Sequence, residues 1–213
     1  MSVLIDIMGS IVVGAILVLV CMTAMERALK RFVNHNADGI VQNNLINTTE
    51  IIQEDLWKMG FLVPEGDQDS IIQIAQSDHI KYLTFLDNAD TLADTIEYQI
   101  AAFDTIAFID TSIVFFGVNR SVINTSTGTN TAQIGSIINE DVFRFFNQIG
   151  DSVSLLQEIR MVEVTLIASN PNIYLSNEVL VAQDPVERMD ALNDLLRESY
   201  WRQTRVISRN LRR

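Results

Sequence analysis

The chain has 213 residues, 48% of them hydrophobic and 8% aromatic, with 27 acidic against 15 basic residues and a formal net charge of −12. That size suits one folded domain plus one membrane segment. An acidic chain repels phosphate backbones and lacks the counterion-release term that drives nucleic-acid binding, which excludes nucleic acid as a partner.

Residues 1–25 predict a transmembrane helix. From Val3 to Met25 the chain reads VLIDIMGSIVVGAILVLVCMTAM, enough to exceed the roughly 20 residues that cross a hydrocarbon core as helix. A signal peptide would need a basic start, a shorter apolar core and a small-residue cleavage site before Glu26 and Arg27, and these are missing. Asp6 interrupts the apolar run, at a cost of roughly 3 kcal/mol on insertion scales if it were held ionised at the bilayer centre. It either sits near headgroups one turn from the helix start, favoured by the helix dipole, or pairs with a positive group such as a neighbouring subunit's amino terminus. Gly9, Ser10 and Gly14 form a small-residue surface that permits close helix contact, though not at GxxxG spacing. Cys21, the lone cysteine, allows no intrachain disulfide. Arg27, Lys30 and Arg31 follow the run and no basic residue precedes it, so charge counting alone places the large domain in the cytoplasm.

Residues 26–62 predict an amphipathic stalk helix. Val41, Leu45, Thr48, Ile52, Leu56 and Met59 recur at helical spacing and form one stripe that needs a partner, while Gln42, Asn43, Asn47, Glu50 and Glu54 stay wet. Gly39, with Asn34 and Asn36, weakens the helix and predicts a bend or melted turn. Gly60 reads as the left-handed C-terminal cap, Phe61 and Leu62 as its hydrophobic contact, and Pro64 as the block to continuation.

Residues 63–213 predict an α+β head. The period becomes two: Ile80, Tyr82 and Thr84 alternate with Lys81, Leu83 and Phe85, and Ile96, Tyr98 and Ile100 with Thr95, Glu97 and Gln99. Asp87 to Asp90 predicts a hairpin connection between these two strands. FDTIAFID, SIVFFGV and MVEVTLIAS continue the strand pattern, and Asn119 to Ser136, rich in Ser, Thr, Asn and Gly, reads as an exposed loop or irregular hairpin. Asp184, Pro185 and Glu187 spell an N-cap, N1 and N3 ahead of Met189, Leu192, Leu195 and Leu196, predicting a short second helix to about Glu198. Arg202, Arg205 and Arg209 then lie in a basic C-terminal segment. They serve either as guards on an edge strand or as a basic stripe that meets an adjacent subunit's acidic face.

Three of these stretches carry a resemblance. LIDIM ahead of the apolar run, DLWKMGF at the end of the stalk, and YWRQTRVISRNLRR at the end of the chain resemble the type IV pilin and pseudopilin superfamily, in particular minor pilins of PilW or pseudopilin-J type. Asp55, Leu56, Gly60 and Phe61 match the family's Asp-Leu-Arg-x-Ala-Gly-Tyr/Phe helix terminus, with Trp57 in place of Arg. Tyr200, Val206, Arg209, Asn210 and Leu211 fit its final strand, EIRMVEVTLIAS its penultimate one, and Asp6 stands where the family has Glu. The family's Gly-Phe cleavage signal is missing. Either the numbering starts after processing or no leader peptidase acts, in which case a permanently membrane-anchored relative is expected. The resemblance implies a long helix packed on an antiparallel sheet, with the large domain outside the cytoplasmic (inner) membrane. It also implies a hetero- or homo-oligomer formed with pilin-like or other membrane subunits through the transmembrane helix.

Chemistry-bearing patterns are few. EGDQDS and DNAD lack the full ligand series of a calcium loop. His35 and His79 meet no G-x-S-x-G elbow, and no phosphate-binding loop occurs. No catalytic residue, cofactor site or metal site is expected. The reading is of a non-enzymatic assembly subunit of a filament or secretion system, with Asp6, Gly9, Ser10, Gly14, Arg202, Arg205 and Arg209 as its assembly residues. The alternative is a single-pass accessory subunit of a larger membrane complex that forms no filament.

Overall fold

The fold is α+β: a long N-terminal helix, a five-stranded and a three-stranded antiparallel sheet, and a short helix near the C-terminus. The computed structural model describes residues 2–63, 71–85, 93–109, 112–124, 128–176 and 184–211, without the side chains of 2–6, 175, 176 and 209. Pro64, EGDQDS, DNAD, Arg212 and Arg213 therefore lie outside the described residues.

Helix α1 spans Ser2–Trp57. It is helical through Asn34, Asn36 and Gly39, so the melted turn expected there does not form. Compact units divide at Ile40 and Val41. In the first unit, Ile7 to Val33, the apolar side chains are exposed all round the helix.

In the second unit the stripe predicted from spacing is the buried one. Leu45, Thr48, Ile52, Leu56 and Met59 are buried and Val41 packs against them. Over them lie two sheets. The first runs in the order β1 (Ile72–Ala75), β2 (His79–Thr84), β3 (Asp94–Ala107), β4 (Ser112–Asn124) and β5 (Gly128–Ile137). The second runs β6 (Phe143–Phe146), β7 (Met161–Ala168) and β8 (Tyr200–Ile207). Alternation fixes which residues enter the core: Ile80, Tyr82 and Thr84 of β2, and Ile96, Tyr98 and Ile100 of β3, are buried while their neighbours are less so. Val162 and Val164 of β7, Val206 of β8 and Phe143 of β6 join the same core, and the Tyr98 and Phe143 rings meet across it at 6.5 Å.

Three parts go beyond the sequence reading. FDTIAFID opens no new strand: β3 runs unbroken to Ala107, with a register shift between Ala102 and Asp104. Such a shift bends the strand and increases its local twist. Ile106 near its end and Ile113 and Phe115 at the start of β4 pack against the unpredicted helix α2 (Pro171–Ser176) and α3 (Pro185–Arg197), while residues 102–105 of β3 stay exposed. A second cluster of Ile113, Phe115, Tyr174 and Leu192 forms there. Finally, of the two readings of Asn119 to Ser136 the structure takes the irregular hairpin: Asn119 to Asn124 of β4 pair with Gly128 to Gln133 of β5, with a register shift between Val118 and Asn119. Polar residues on both faces hid the strand period there, and threonine supports the extended backbone.

Helix α3 begins as its sequence reads, with the Asp184 side chain accepting a hydrogen bond from the Val186 N–H and proline in the first turn.

Candidate assembly surfaces

These elements build two surfaces and, among their ion pairs, two that join elements through a buried carboxylate. The first surface is the apolar part of α1. An 18-residue window there reaches a mean hydropathy of 2.5 with none of it buried, so this helix is long and apolar enough to cross a membrane. Gly9 and Gly14 have open space where a Cβ would stand. The Ser10 hydroxyl donates to the Ile7 carbonyl at 2.8 Å, which satisfies it within its own helix and leaves a smooth small-residue surface. Asp6 is helical, with its side chain outside the described residues.

The helix ends with its carbonyls capped from a distance. Gly60 adopts a φ of 72°, the left-handed cap expected of it, and its N–H donates to the Leu83 carbonyl at 2.9 Å. Thr84 donates to the Lys58 carbonyl at 2.7 Å. Ser208 and Asn210 both donate to the Met59 carbonyl, at 2.8 and 3.2 Å. The hydrophobic contact beyond the cap is made by Val63, which is buried, while Phe61 and Leu62 are 43% and 57% exposed. With Trp57, Phe85, Glu50, Gln53, Glu54 and Lys58, Phe61 instead lines the second surface, an open groove of about 670 Å³.

Within the fold, Asp55 is buried at the last turn of α1 and accepts hydrogen bonds from Tyr98 of β3 and from Arg120 of β4, whose Nε lies 2.6 Å away. Helix and sheet are thereby joined by a charge-assisted fork. Burial, and next the adjacent Asp55 charge, push the Tyr98 phenol far above its ordinary range. Burial, with Tyr98 and Asp55 nearby, does the same to Tyr82, whose hydroxyl has no partner among the described residues. The hydrogen bond to Asp55 holds Arg120 more firmly protonated still.

The C-terminal arginines do not share one face. Arg202 and Arg205 fall on opposite sides of β8, and Arg202 is half-buried. Arg205 reaches the buried Glu163 of β7 and lies 4.8 Å from the centre of the Phe146 ring. Arg209 begins a 3-10 turn, Arg209–Leu211, with its side chain outside the described residues. Among the described residues, no group of three or more His, Cys, Asp or Glu side chains could hold a metal ion.

Sequence reading missed the Asp55–Arg120 pair, because its partners stand 65 residues apart and each is unremarkable in its own segment. A single signal pointed to it, the acidic residue on the otherwise apolar side of the stripe at Asp55. Compared with known protein families, with curated proteins and with solved structures, the chain matches none.

Proposed function

We propose that this chain is a non-enzymatic, membrane-anchored structural subunit of pilin-like type. It assembles with other subunits through its N-terminal helix, and its α+β head lies outside the cytoplasmic membrane. One observation carries this reading. A single helix, α1, presents apolar side chains that its own chain leaves uncovered, and further along seals an apolar stripe into the head. Such a helix serves as an anchor and packing surface at one end and as the spine of a folded domain at the other. The polar clusters support a structural role too, since Asp55 with Arg120 and Glu163 with Arg205 are spent on joining elements.

The test is where the chain goes in its own cell. Photo-crosslinkers at Gly9 and Gly14 should join it to other apolar helices, both in carbonate-washed membranes and in sheared surface filaments. Adducts confined to membranes would make it the accessory subunit of a complex without a filament. Recovery in the soluble fraction would reject both. Asp6→Ala should reduce assembly, and unchanged assembly would remove Asp6 from that role.

A further inference from the structure

Among the described residues the two sheets have four edges, and three of them are protected. Strand β1 is four residues long and lies under the turn Leu156–Glu158. Strand β6 is also four residues long, and its outer edge is taken by Val153, whose N–H donates to the Phe145 carbonyl at 3.0 Å, and by a bridge between Phe146 and Ser152. Strand β8 carries Arg202 and Arg205. Short length, covering segments and charged side chains are the means by which edge strands avoid pairing with another chain.

Among the described residues, the first six of strand β5 have none of these. The strand is ten residues long, GTNTAQIGSI, without charge or proline. Its last residues are covered: Thr48 of α1 donates to the Ile134 carbonyl at 2.9 Å, and a Cβ on Gly135 would meet that threonine at 2.5 Å, so only glycine permits the approach. From Gly128 to Gln133 every residue is exposed, while the other side pairs in unbroken register with Asn119 to Asn124 of β4. In an antiparallel ladder every second residue turns both its N–H and C=O away from the neighbouring strand, so this stretch offers an open row of backbone donors and acceptors.

We infer that the free edge of β5 pairs with the same edge of a second copy of this chain. The strands would run antiparallel about a two-fold axis and join two five-stranded sheets into one. Charge selects that occupant. Two copies, each with a net charge of −12, repel over most of their surfaces, yet from Ser121 to Asn139 there is no charged residue. Here two acidic molecules can meet without like charges opposed. Thr129 and Asn130 place a hydroxyl and an amide at the seam, side chains that can hydrogen-bond to their own kind across strands, while the Thr131 hydroxyl is engaged with Ser121 of β4 at 2.8 Å. The contact is isologous and consumes both edges, so it closes at a dimer. It does not depend on the apolar helix or on the pilin-like reading.

Cysteine scanning tests this in the full-length chain held in detergent micelles, with Cys21→Ser removing the native thiol. Thr129→Cys, Thr131→Cys and Ala132→Cys are oxidised singly, with Gln203→Cys on β8 as the control. A two-fold antiparallel seam gives disulfide dimers whose yield peaks at one position and falls on either side. Asn130→Lys, which brings a charge from each copy into the uncharged seam, abolishes that peak while the melting temperature of the head stays unchanged. A flat profile no higher than the control overturns the inference. So does a peak that survives Asn130→Lys, or, in native membranes, crosslinking of β5 to a different protein in place of its own copy.

Discussion

Leu19 and Ile52 lie on the same helix and have the same hydrophobic character, yet Leu19 is 62% exposed and Ile52 not at all. In the first unit, from Ile7 to Met25, apolar residues lie on every side of the helix and all are exposed. In the second, one apolar stripe of the helix is buried under two sheets, while Ile46, Ile51 and Trp57 stay on its exposed side. Helix formation is common to both, so it decides neither; what differs is the solvent each stretch is written for. A helix apolar all round is suited to lipid or to sister helices, and one with a single apolar stripe to a domain surface.

The contrast can be broken first in the core. Ile52→Ala should cost the head about 2–5 kcal/mol by leaving a cavity, read as a lowered denaturation midpoint, whereas Leu19→Ala should leave that midpoint unchanged. Equal losses would mean that both halves are packed within one fold. Next comes the joint between helix and sheet. Asp55→Ala should cost about 1.5–3 kcal/mol, the range for hydrogen bonds to charged groups. The lower part of that range applies because Arg120 is partly exposed and water can solvate the charge left behind.

The same joint sets an alkaline limit. Tyr82 and Tyr98 have phenol pKa values raised on folding, so they bind their protons more tightly in the folded state. Their stabilising contribution is complete below the unfolded value of about 10 and declines as the pH rises above it. Tyrosinate absorbance from these two should therefore appear only with loss of the fold. A non-cooperative rise at constant near-ultraviolet dichroism would contradict that. The smallest effect is expected at the N-cap of α3, where Asp184→Ala should cost about 1 kcal/mol in thermal stability.

Much of this organisation is legible in the residues themselves. The stripe from Val41 to Met59, the cap at Gly60, the alternation at Ile80 and Ile96 and the start at Asp184 each follow from local spacing, and the folded chain uses them so. What stays hidden is set by pairing over distance. Strand β6 and helix α2 are too short to carry a period. The polar arms of β4 and β5 show no apolar alternation to mark them as strands. Phe61 looks like a core contact, and only the fold reveals that Val63 takes that place. Of the candidate assembly residues, Gly9, Ser10 and Gly14 stand on open helix surface, while Arg205 is engaged within its own sheet.

Labelling of Cys21 by a membrane-impermeant maleimide tests the division of α1 most directly, with Asn43→Cys as the wet reference on the same helix. In intact membranes Cys21 should stay unlabelled until detergent is added, while the thiol at position 43 reacts at once. Equal labelling of both in intact membranes, or recovery of the chain in the soluble fraction, would contradict the account.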